Sequence, residues 1–228
     1  MAVPRLGESL IVAHQPEQRF FNIGWPGLSG LFQGLAPGRF AAAVNQAPMR
    51  RHGRFFLGDW LSNRIAVRQG NGLPAAHLLR SIFEHAADYA AAKKLLCESE
   101  IAAPAIFILA GIKDGEGCVI ERTETESALR EMAEDKVCAA NHFESVLDNS
   151  GLGWRARPID SAGRTACAHG LSSAAFGTDF GWFVPPIANK NSRLAFNAIA
   201  RSGALTLMGT AGSRPTHHHL PPPLSWAL

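Results

Sequence analysis

Four cysteines are the first residues in this chain that could do covalent chemistry, and the surroundings of each argue against it. A thiol attacks as its thiolate, which needs a cationic neighbour, a helix N-terminus or a metal. Cys118 and Cys138 lie inside apolar runs that read as strands, where a buried thiol stays protonated. Cys97 closes an expected helix, beside the negative end of its dipole, which disfavours a thiolate. Cys167 has His169 two residues on, and side chains at i and i+2 of a helix do not face each other. No pair has Cys-x-x-Cys spacing, so zinc and dithiol redox chemistry are not indicated. The run His217-His218-His219, followed by Pro221-Pro222-Pro223, lacks a scaffold that would converge three ligands on one ion, so no metal is expected. Gly-x-Ser-x-Gly, phosphate-loop and His-Glu-x-x-His patterns are absent. What remains is a set of amides and cations that close short segments: Asn45 and Gln46, Asn141 and His142, and Arg164 in Asp-Ser-Ala-Gly-Arg. These groups hydrogen-bond and carry charge. They do not attack.

The elements that must hold them are legible from period and punctuation. Residues 9–13, 19–25, 31–35 and 40–45 read as an antiparallel meander, with Pro37-Gly38 at the last turn. Residues 59–68 are a weak helix candidate. Pro74 suits a first helical turn, and Leu78, Leu79, Ile82, Phe83 and Ala86 follow at a spacing of three to four. Asp88 can cap a second helix, with Tyr89, Ala92, Leu95 and Leu96 on one face. Strands are expected at 105–112 and 117–122 around Asp114-Gly115, where glycine can take positive φ. Residues 123–135 read as a charged helix or loop, 136–141 as a strand and 160–172 as a helix. A closing hairpin spans 193–200 and 204–208. The expected organisation is one domain over 1–209 and a Pro/His-rich, unstructured tail over 210–228. Strands with helices gathered on a face define an α+β class.

Of the 228 residues, 46% are apolar and 18% charged, enough for a sizeable core. A net charge of +3, dispersed, gives no reason to expect nucleic acid as a partner. No apolar run approaches the length of a membrane span or a signal-peptide core, and the cysteines suit a reducing compartment, so the expected location is cytoplasmic.

Three blocks carry a family likeness: Gly24–Pro48 (GWPGLSGLFQGLAPGRFAAAVNQAP), the stretch from Leu78 to Arg122, and Val137–Phe143 (VCAANHF), with a weaker fourth at 160–164. In order and spacing they resemble the cysteine N-terminal-nucleophile hydrolases related to acid ceramidase, N-acylethanolamine acid amidase and penicillin acyltransferase. The resemblance implies an αββα sandwich and cleavage of a linear amide C–N bond, with hydrolase or acyltransferase outcome and no cofactor. A terminal cysteine would be nucleophile, its own α-amine the base. It places Asn141 as an oxyanion donor and Arg164 as an organiser of the site, with Asn45, Gln46 and His142 on the substrate side. Gln46 stands where relatives have a glutamate, so it can hydrogen-bond but not titrate. The family's cysteine would precede residue 1, so the expectation is a chain inactive as written, its first strand or strands missing. The alternative is a non-catalytic, small-molecule-binding or structural relative. The expected partner is an N-acyl amide, and an uncovered sheet edge predicts a homodimer.

Overall fold

The computed structural model describes residues 10–147, 152–157, 159–177, 179–211 and 214–219. A seven-stranded antiparallel sheet forms the centre, in the order β1(Ile11–Gln15), β2(Phe20–Gly24), β3(Gln33–Ala36), β4(Phe40–Gln46), β6(Ala105–Ala110), β7(Gly117–Arg122), β8(Ser127–Glu131). A second antiparallel sheet has the order β10(Leu194–Ile199), β11(Ala204–Ala211), β12(Arg214–His219). The two-residue strands β5(Met49–Arg50) and β9(Trp154–Arg155) pair separately.

Alternation along each strand of the large sheet sends successive side chains to two different cores. Phe20, Phe40, Ala42, Phe107, Leu109, Cys118 and Ile120 face helices α2(Ala75–His85) and α3(Tyr89–Glu98), where Leu79, Ile82, Phe83 and Leu96 are fully buried. Each such side chain contributes roughly 1.5–3 kcal/mol of burial. The residues between them, Phe21, Ile23, Leu35 and Ala41, face the second sheet and meet Leu205 and Leu207. Farther along that face, Ile106 and Val119 are covered by Val137, Ala139 and Phe143. The chain can approach the helix layer closely at Gly34, where a Cβ would meet Phe83 Cζ of α2 at 3.1 Å.

The meander, the hairpin at 105–122 and both periodic helices follow the expectations, with ends shifted by a few residues. Asp88 caps α3, accepting a 2.8 Å hydrogen bond from the Ala91 amide. Three expectations are corrected. Residues 123–135 contain β8, whose exposed charges are tolerated because it is an outer strand with one paired edge. Residues 136–141 form no strand; their apolar side chains cover the sheet as irregular backbone, tied by a single bridge between Ala133 and Lys136. Part of the expected unstructured tail instead extends β11 to Ala211 and returns as β12, because unpaired amides of β11 offer a template. The rest of that tail, 212, 213 and 220–228, lies outside the described residues, as does Ser9 of the expected first strand. The weak helix candidate is a full helix, α1(Phe56–Gln69).

Candidate functional site

The end of β4 is where the predicted site residues assemble. Ala43 and Asn45 share the face that looks toward the second sheet, and Val44 and Gln46 share the opposite one. Asn45 Nδ2 donates to the Ala140 carbonyl at 3.0 Å. Asn141 Nδ2 donates to the Gln46 carbonyl at 2.8 Å, and Arg157 Nε donates to the Ala47 carbonyl at 2.8 Å. Irregular segment and strand end are thereby laced together, which satisfies carbonyls that no ladder partner reaches.

Helix α4(Ser161–Gly170) supplies the other side. Asp160 is its N-cap, with Oδ1 accepting from the Gly163 amide at 2.9 Å. Ser161 Oγ accepts from the Asn141 amide at 2.7 Å and lies 2.7 Å from His142 Nδ1. One turn on, Arg164 Nη1 donates to Asn141 Oδ1 at 2.9 Å. Lys136 Nζ donates to the carbonyls of His169 and Leu171, fastening the far end of the same helix. Asn141 is therefore gripped at its amide N–H, its side-chain oxygen and one side-chain N–H. The second hydrogen on Nδ2 is left to aim elsewhere.

Four of the five predicted residues, Asn45, Asn141, His142 and Arg164, take part through their side chains. Gln46 enters through its backbone carbonyl only, and its exposed side chain leaves from the other face of β4. Sequence reasoning missed Ser161 and Arg157. Ser161 stands one residue after a readable N-cap, so its reach back to Asn141 needed the tertiary fold. Burial lowers the pKa of Arg164, while the charge of Asp160 acts the other way; a guanidinium so far above neutrality stays cationic. Its Nε is buried and has no hydrogen-bond partner.

Beside this network a cavity of about 470 Å³ opens between the sheets, bounded by Asn45, Arg164, residues of β10 and the segment carrying Trp182 and Phe183. Trp182 is fixed by donation from Nε1 to Asn197 Oδ1 at 2.8 Å. None of the four cysteines lines it. Burial pushes the Cys118 thiol up to about 11 and raises Cys97 and Cys138 as well, so these three are protonated near neutrality. Among the described residues no group of three or more His, Cys, Asp or Glu side chains could hold a metal ion, and no helix is long and apolar enough to cross a membrane.

Two facing antiparallel sheets with helices outside define an N-terminal-nucleophile hydrolase fold. The structure superposes on a Caenorhabditis elegans N-acylethanolamine-hydrolyzing acid amidase ortholog with a TM-score of 0.62, covering 91% of this chain and 82% of that one at 17% identity. In sequence, the chain is 34% identical over 108 residues to acid ceramidase of Balaenoptera acutorostrata scammoni, covering 47% of this chain and 26% of that protein. It is 35% identical over 101 residues to human acid ceramidase, covering 44% and 24%. No family model matches. The chain is thus similar in sequence to acid ceramidases, about a quarter of whose length it matches, and in fold to an N-acylethanolamine-hydrolyzing acid amidase ortholog.

Proposed function

We propose that this domain is the pocket-forming part of a linear amide C–N hydrolase or acyltransferase that acts on an N-acyl compound. The observation that carries the reading is the grip on Asn141 by Gln46, Ser161 and Arg164, the last of which lines the inter-sheet cavity. A neutral side-chain amide held at both ends, by Gln46 and Arg164, on a backbone fixed by Ser161 needs little reorganisation when an oxyanion forms, which is the condition for electrostatic stabilisation of a tetrahedral intermediate. Arg164 holds that amide by its oxygen, so its nitrogen is the end that faces charge. Asn45 and His142 position the same segment on the substrate side. None of the described thiols is set to attack, so the reading assigns the nucleophile to a cysteine at the terminus of a strand outside this sequence, with its α-amine as base.

The test uses two proteins, the 228-residue chain and the product of the same reading frame extended upstream. The expected result is no amine release from an N-acyl amide by the short form, and amidase activity sensitive to thiol reagents in the extended form. Asn141→Ala in the extended form should lower kcat by on the order of 10²–10³ with little change in KM. An extended, folded protein without activity would sink the enzyme reading and leave the alternative, a relative that binds acyl amides and does not cleave them.

A further inference from the structure

The cavity between the sheets carries an imbalance of charge that the proposed amide chemistry does not use. Two arginines, Arg164 and Arg193, are among the lining residues, and no aspartate or glutamate is. Among the described residues neither arginine forms an ion pair. Arg193 spends Nη1 on the carbonyls of Lys190 and Ser192, at 2.9 and 2.7 Å, which holds the side chain against its own turn and leaves Nη2 and Nε uncommitted. Arg164 spends one N–H on Asn141, and its buried Nε meets no acceptor. An unmatched buried donor on a cation is costly. Elsewhere in the molecule such costs are met: Arg122, fully buried, is matched by the carbonyls of Leu96, Ser99 and Glu126, and Arg155 by Asp59. The rest of the wall is aromatic, with Trp25, Trp182, Phe183 and Phe196.

We infer that the cavity takes an anionic acyl amide, an aryl-acyl group seated among the aromatic side chains and a carboxylate paired with Arg193 in the field of Arg164. The carboxylate supplies acceptors for the uncommitted N–H groups of Arg193, and planar pairing of arginine with carboxylate is among the stronger polar contacts available. The volume, about 470 Å³, falls in the range that holds a small ligand. A neutral amide of the same shape would bring no charge to Arg193. This inference rests on the acyl-amide reading of the site, but its test is binding, which needs no nucleophile.

The experiment is calorimetric titration of the 228-residue chain with N-phenylacetylglycine and, separately, with its neutral glycinamide analogue. The acid is expected to bind at least about tenfold more tightly, with the preference shrinking as salt rises. Arg193→Met should abolish the preference, and Arg193→Lys should retain part of it, each variant being checked for an unchanged melting temperature. Equal binding of the two compounds, tighter binding of the amide, or binding of neither would overturn the inference. If Arg193→Met destabilises the fold, the wild-type comparison alone decides. Loss of the charge preference leaves the amidase reading standing, and that reading falls only on the rate assay of the extended protein.

Discussion

Helices α1 and α2 are near neighbours in sequence and opposite in how the fold holds them. In α2, Leu78, Leu79, Ile82 and Phe83 make one stripe, and all four are buried against the large sheet. In α1, Phe56, Leu57, Trp60, Leu61, Ile65 and Val67 spread over half the cylinder, interrupted by Arg64 and Arg68, and every one of them is exposed, Leu57 at 75%. The one buried residue of α1 is a carboxylate, Asp59. Its Oδ1 accepts from the amides of His52 and Gly53, each at 2.8 Å, and its Oδ2 accepts from Arg155 Nε at 2.7 Å. The comparison teaches that apolar content does not dock a helix. A stripe at helical period docks by area, whereas a helix without one is held at a point, by a charge.

The two modes predict different failures. Phe83→Ala, which removes a ring packed against Phe20 and Phe40 at 5.3 and 4.9 Å between centroids, should cost about 3–5 kcal/mol in urea unfolding and lower the melting temperature of the whole domain. A cost under about 1 kcal/mol would mean that the helix layer is not the core it is described to be. Asp59→Asn should have a smaller and local effect, a loss of amide-exchange protection in α1 with α2 and α3 still protected. If all three helices lose protection together, the distinction between the two modes fails.

Acid should reproduce that local loss. Burial works against the Asp59 carboxylate, but the His52 amide, Arg155 and the Gly53 amide outweigh it and hold its pKa below the ordinary value. A depressed folded pKa means that its contribution is complete above the unfolded value, roughly 3.9, and disappears as pH falls through the folded one. Exchange in α1 should thus be unchanged from neutrality to about pH 5 and rise only below about pH 4. Opening at pH 6 would contradict the assignment. Smallest of all, Leu57→Ser should change stability by less than about 0.5 kcal/mol, because the side chain is already in water.

The same contrast runs through what was legible in the chain. Both helices over the sheet and the hairpin around Gly115 were readable, because period and turn chemistry act over a few residues and the fold agrees with them. The outer strand β8 was not, since Ser127, Arg130 and Glu131 carry no alternation strong enough to outvote their polarity. Val137 to Ala140 failed in the other direction. Their apolar run reads as a strand, yet β6 and β7, whose residues it packs on, are already paired on both edges, and the segment is used as a cover. At the site, Asn141 and Arg164 were identified by likeness to a family, not by spacing. Twenty or more residues separate Asn141 from Ser161 and Arg164, and no local rule links them.

Local chemistry therefore determined the layers of this protein: which segments pair, which helices carry a greasy stripe, and that Cys97, Cys118 and Cys138 sit among apolar neighbours that keep them protonated. The tertiary fold alone decided that the end of β4, an irregular cover and the first turn of α4 meet at one point. The reason is range. Periodicity and capping are set within a turn or two of backbone, whereas a hydrogen bond between residues 95 apart exists only after two cores have fixed the elements that bear them.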